Sequence, residues 1–194
     1  MTRLRIALAA LLLAAAGAAP LAHASQDTPG SADGSGDLSG LHDFDFLVGH
    51  WKVHHRKLKD RLAGSRDWVE FEGEMTMRTL LDGHANVDDN LLRVPGGEYR
   101  GLSLRAYDAK TAQWAIWWLD GRNPAGALDP PVKGRFRHGV GTFYSNDTLR
   151  GKPIRVRYTW SRITPGSARW EQAFSADAGK TWETNWVMRF EKTR

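Results

Sequence analysis

From residue 41 onward the sequence alternates, and this rhythm limits what the chain can fold into. Val69, Phe71, Met75 and Met77 are interleaved with Trp68, Glu70, Glu72 and Glu74. Trp114, Ile116 and Trp118 are interleaved with Gln113, Ala115 and Trp117, and Val156, Tyr158 and Trp160 with Arg155, Arg157 and Thr159. Trp182, Trp186 and Met188 are set among Glu183, Asn185 and Arg189. A period of two is the signature of a strand whose faces meet different surroundings, and no long segment shows the helical period. Turn signals punctuate the runs at Asp82-Gly83, Pro95-Gly96-Gly97, Asp108 to Thr111, His138-Gly139, Pro165-Gly166 and Asp177 to Lys180. Together they predict about ten strands: 49–58, 66–77, 84–93, 98–107, 112–120, 132–137, 140–146, 153–163, 168–175 and 182–191. Most joints are of hairpin length, so successive strands form an antiparallel meander. Closing such a sheet on itself removes its exposed edges. The expected fold is therefore all-β, an up-and-down antiparallel barrel. The long connection, residues 121–131, is the expected rim or lid loop.

The first 40 residues read differently. Arg3 and Arg5 precede an apolar run from Ile6 to Ala19, and Ala22-His23-Ala24 offers a small-x-small cleavage site. This is the pattern of a secretory signal, expected to be cut after Ala24, which places the protein in the periplasm or the medium. Residues 25–40 are mostly Gly, Ser, Asp and Pro and read as a flexible linker. The barrel domain is then 41–194. No second apolar run follows, so no membrane insertion is expected after cleavage. The chain has no cysteine, which excludes a lipidated cysteine and leaves stability to a packed core. Two of its five units of net positive charge belong to Arg3 and Arg5, and the other charges are interspersed. That pattern argues for a solvated surface and against a nucleic-acid partner.

Two motifs refine the picture. Ser175, Asp177, Gly179, Thr181 and Trp182 match the Asp-box, a turn repeated around sialidase propellers. A propeller needs several blades and several such boxes, and this chain has one box. The motif is expected to staple the last hairpin, with Asp177 binding backbone N–H groups, Gly179 at positive φ and Trp182 packed over the loop. No catalytic role is expected for it.

The second motif is Phe44 to Trp51, "FDFLVGHW". Its Gly49-x-Trp51 spacing resembles the start of the first strand in lipocalins and related calycin barrels. The resemblance implies a short helical plug before that strand and a late arginine, here Arg189, over the tryptophan. The stretch from Phe44 to Phe190 also resembles a family of exported bacterial proteins of undefined function. That likeness is carried by "FDFLVGHW", "YDAKTAQWAIWWLD", "RYTWSRIT" and "WEQAFSADAGKTWETNW". It implies a lipocalin- or nitrobindin-type barrel and no established substrate. Haem-binding relatives of the wider group use a histidine near the C-terminus. The last histidine here is His138, so haem and other cofactors are not expected.

Nine tryptophans suggest an aromatic lumen. Polar residues that fall in the apolar phase are then candidates to meet a ligand: His55, Asp89, Asp120, Gln172 and Thr184, with Trp118, Trp160 and Trp186 as walls. A polar group stranded in such a lumen costs on the order of 1–3 kcal/mol unless it finds a partner. The leading expectation is binding of a small apolar or aromatic molecule. A hydratase, isomerase or decarboxylase using His55 with Asp89 or Asp120 is the alternative. A third reading is an envelope interaction module using exposed Trp68 and Trp117. No Gly-x-Ser-x-Gly elbow or cysteine supports nucleophilic catalysis. His50 and His54 share a strand face but lie about 13 Å apart, too far for one metal.

Overall fold

The structure, a computed structural model, describes residues 36–193, so the expected signal segment and residues 25–35 of the expected linker lie outside the described residues. Ten strands follow one another: β1 (Gly49–Leu58), β2 (Trp68–Leu80), β3 (Ala85–Val94), β4 (Gly97–Asp108), β5 (Gln113–Asp120), β6 (Val132–Arg137), β7 (Val140–Leu149), β8 (Lys152–Ser161), β9 (Ser167–Ser175) and β10 (Glu183–Lys192). Each pairs antiparallel with its neighbours in sequence, and β1 also pairs with β10 to close the barrel. The sequence reading located all ten, with ends that differ by a few residues.

Alternation explains the core. Trp51 and Val53 on β1, Met75 and Met77 on β2, and Val156 and Trp160 on β8 are buried, while their immediate neighbours are exposed or half-buried. The ladder is thin at one seam: β5 and β6 pair only at Trp114↔Gly134, Ala115↔Lys133 and Ile116↔Val132. Above Ile116 the β5 edge runs free of β6, and residues 121–131 connect the two strands there.

A single 3-10 turn, Asp45–Leu47, stops one end of the barrel. Phe44 beside it is 1% exposed and makes edge contacts with Trp114 (5.2 Å between ring centres), Phe136 (5.1 Å) and Trp160 (6.1 Å). Two tryptophans bond backbone carbonyls in this region: the Trp51 indole N–H donates to the Leu47 carbonyl (2.8 Å), and that of Trp114 to the Gly40 carbonyl (2.9 Å). Gly49 enters β1 with φ of 116°, a region that a side chain disfavours. Arg189 does not cover Trp51. It lies exposed, paired in register with His54 and Arg169. Lys192, directly opposite Trp51 on β10, brings its ammonium 5.2 Å from the indole instead.

The β9–β10 hairpin is stapled by its turn. Asp177 accepts from the Thr181 hydroxyl (2.6 Å), the Thr181 N–H (2.9 Å) and the Ser175 hydroxyl (2.7 Å). These bonds, led by the two from Thr181, hold its carboxyl well below the usual carboxylate range. The Gly179 N–H donates to Ser175 Oγ, and the Trp182 indole donates to the Gly179 carbonyl.

Candidate functional site

Above the plug the barrel is hollow. The space amounts to about 750 Å³ counting its open mouth. A second lobe of about 830 Å³, also counting solvent, shares Ile116, Trp118, Tyr158, Gln172 and Trp186 with the first. It reaches Asp129 and Pro130 of the long loop, beside the thin β5–β6 seam. Trp118 stands at this opening with 36% of its surface exposed.

One wall is aromatic because three strands turn their alternate residues inward in register. Trp160 on β8 faces Trp170 on β9, and Tyr158 faces Gln172, which faces Trp186 on β10. The rings meet edge to face: Tyr158 and Trp170 at 4.8 Å, Trp170 and Trp186 at 5.8 Å and 86°. Such geometry adds to the burial of large apolar surface. Burial pushes the Tyr158 hydroxyl up to about 12, with Asp147 and Asp129 adding to the effect, so it stays protonated.

The facing wall, β3 and β4, carries a buried charge pair. Asp88 and Arg105 are 2% and 4% exposed, and their carboxylate and guanidinium meet at 2.5 Å. Asp88 Oδ1 also accepts from the Asn90 amide (2.5 Å) and the Ser103 N–H (3.1 Å), while Arg105 donates to Asn86 Oδ1 (3.0 Å). The guanidinium lies 4.9 Å from the Phe44 ring, which roots the pair on the plug. Its Nε is buried with no partner among the described residues.

His55 closes the side between these walls. It is 2% exposed, stacks on Phe71 (4.6 Å, 9°) and accepts a hydrogen bond at Nδ1 from the Trp186 indole (3.3 Å). The neutral ring's proton is therefore on Nε2. Burial lowers its pKa to about 3, helped by the positive charges of His54 and Lys57. Lys57 lies 3.8 Å above the Trp186 ring, and burial first, then Arg61 and Arg122, bring its amine down to about 8.

Of the eight residues expected to meet a ligand, His55, Trp118, Trp160, Gln172 and Trp186 line the lumen. Three do not. Asp89 is exposed on the outer face, paired with Arg100 at 2.9 Å, because β3 presents Asn86, Asp88 and Leu92 inward rather than Val87 and Leu91. Asp120 sits at the rim bonded to Arg122, whose side-chain hydrogen bond is the main cause of its pKa of about 2. Thr184 is displaced by a bulge between Thr184 and Trp186 and pairs with Ala173. The inserted Asn185 is fully buried instead and accepts from the Gln172 amide at 2.8 Å. Glu183, just before the bulge, accepts from the Leu62 N–H at 2.7 Å. Asp89 and Asp120 are thus engaged elsewhere, and His55 bonds an indole, so the histidine–aspartate pair of the enzyme alternative is not formed.

The sequence reading passed over Asp88, Arg105, Ser103 and Trp170. For Asp88 the signal was present in "VDDN", where either aspartate could take the inward phase. No protein-family model matches the chain, and no curated protein matches it. Among solved structures, the S-type phycobiliprotein lyase CPES from Guillardia theta is similar, with 10% identity over 78% of this chain and 90% of that chain and a TM-score of 0.52. A protein with unknown function of the DUF3598 family from Nostoc punctiforme aligns over 80% of this chain and 99% of that chain at 8% identity, with a TM-score of 0.25. The first likeness concerns the fold: a closed barrel of the calycin-like kind.

Proposed function

We propose that the protein is an exported binding barrel that holds a small apolar or aromatic molecule in its lumen. One observation carries this reading: a plugged, tryptophan-walled hollow opens at its other end and keeps a few convergent polar groups among its rings. The likeness to the lyase supports the barrel alone, and the ligand class comes from the lining. Titration with a panel of small aromatic probes, read by intrinsic tryptophan fluorescence and by calorimetry, tests it. Saturable one-to-one binding that Trp186→Ala weakens by about tenfold is the expected result. Absence of saturable binding across the panel would overturn it. Export rests on the arginine-led apolar segment and the Ala22-His23-Ala24 site. N-terminal sequencing of protein recovered from a bacterial envelope should begin at Ser25, and an intact N-terminus would refute that part.

A further inference from the structure

The lumen is unbalanced in its hydrogen bonding, and the imbalance names a ligand chemistry. Four indole N–H groups have acceptors: those of Trp51, Trp114 and Trp182 in backbone carbonyls, and that of Trp186 in His55. Among the described residues, no acceptor meets the indole N–H of Trp118, Trp160 or Trp170, and the Tyr158 hydroxyl is likewise unbonded. All four side chains line the hollow. The Arg105 Nε adds a fifth unmet donor on the opposite wall.

Several of the acceptors there are spent, and on the wall of Tyr158, Trp160 and Trp170 the one side-chain acceptor left is Gln172 Oε1, whose amide nitrogen is used by Asn185. Asp88 takes Asn90, the Ser103 N–H and Arg105. Asn86 takes Arg105, His55 takes Trp186, and Asn185 takes Gln172. An indole N–H can only donate, and a phenol of raised pKa stays a donor. Trp160, Trp170 and Tyr158 are also neighbours: the first two face each other across β8 and β9, and the rings of the last two lie 4.8 Å apart. Their unmet donors therefore share one wall.

We propose that the lumen selects flat aromatic molecules bearing ring carbonyl oxygens, with the oxygens turned toward the donors of Tyr158, Trp160 and Trp170. This rests on the binding reading above and deepens it. A pure hydrocarbon would displace water from these donors and return nothing. An amine would bring further donors to a wall whose three unmet donors already outnumber its one free side-chain acceptor, Gln172 Oε1. A carboxylate pushed deep would meet the already paired Asp88 and leave an excess buried negative charge. A neutral carbonyl supplies the missing acceptor without that charge, and a flat ring system stacks against the indoles.

The test uses two probes of the same tricyclic skeleton, fluorene and 9-fluorenone, which differ by one carbonyl oxygen. Isothermal titration calorimetry should give 9-fluorenone the tighter binding by about tenfold, the equivalent of one good hydrogen bond. Trp160→Phe, Trp170→Phe and Tyr158→Phe each keep an aromatic ring and remove one donor. At least one should lower the ratio of the two affinities several-fold, whereas loss of ring area alone would weaken both probes together. Tyr158→Phe is the mildest change, and near-ultraviolet circular dichroism checks that each variant is folded. If fluorene binds as tightly as 9-fluorenone to the unaltered protein, the carbonyl preference is overturned while binding in the lumen stands. If neither probe nor the wider panel binds, both readings fall.

Discussion

The two ends of the barrel are built from the same residue types and put them to opposite use. At the plugged end, Phe44, Trp51, Trp114 and Phe143 are at most 1% exposed, and the indoles of Trp51 and Trp114 each have a carbonyl to donate to. Above it, Trp118, Trp170 and Tyr158 surround a hollow floored by Trp160, which touches Phe44, and all four leave their donors unmet among the described residues. The difference lies in what fills the centre. The segment from Gly40 to Leu47 supplies carbonyl oxygens and the Phe44 ring to one half. Among the described residues, no chain segment does so for the other. A half that is complete in itself serves stability, and a half that lacks a centre is free to accept one.

The largest expected effect is on the plug. Phe44→Ala removes a ring that touches Trp114, Phe136, Phe143 and Trp160 and that supports the Arg105 guanidinium. Burial of this kind, once emptied, costs about 3–5 kcal/mol, read as a lower midpoint in urea denaturation. Trp118→Ala at the opening should cost no more than about 1 kcal/mol, since that ring is already partly in solvent. Equal losses would erase the distinction between the two ends.

The same contrast explains which features could be read from the sequence. All ten strands were legible because alternation and turn residues are local signals, and the Asp-box and the segment before Trp51 carry their geometry in a few adjacent residues. The inner polar wall was not legible. Asp88 and Asp89 are adjacent and chemically alike, and only pairing with β2 and β4 decides which faces inward. Arg105 was one basic residue among 27, and nothing beside it in sequence announces a buried partner 17 positions away. Arg189 was expected over Trp51 from its order along the chain, but the β1–β10 register places Lys192 there. The bulge between Thr184 and Trp186 moved Thr184 out and Asn185 in, and no single-residue signal marks such an insertion.

A smaller effect sharpens the boundary between the halves, where His55 sits. Its pKa of about 3 in the folded protein lies below the ordinary value of about 6.5. Below pH 6.5 the unfolded chain therefore binds a proton that the folded chain refuses. The stabilisation is complete above that pH and is lost as pH falls toward 3, with a slope approaching about 1.4 kcal/mol per pH unit. His55→Gln keeps an acceptor for the Trp186 indole and does not titrate. Its unfolding free energy should be flatter than that of the parent between pH 6.5 and 4.5, above the range where carboxylates dominate. Parallel curves would place His55 in water rather than at the wall of the hollow.

The smallest effect compares like with like, one indole from each end. Trp51→Phe keeps a ring but leaves the buried Leu47 carbonyl without its donor, a loss of about 1–3 kcal/mol beyond that of ring volume. Trp170→Phe removes an N–H that bonds nothing among the described residues, and it shrinks a ring that borders empty space. It should therefore cost less than Trp51→Phe by roughly that same 1–3 kcal/mol. Both comparisons use urea denaturation without added ligand, so a bound guest does not enter the balance. If the two substitutions cost the same, the Trp170 N–H is bonded within the folded protein. The open end would then be satisfied like the plugged one, and a lumen with donors to spare could no longer be argued from these residues.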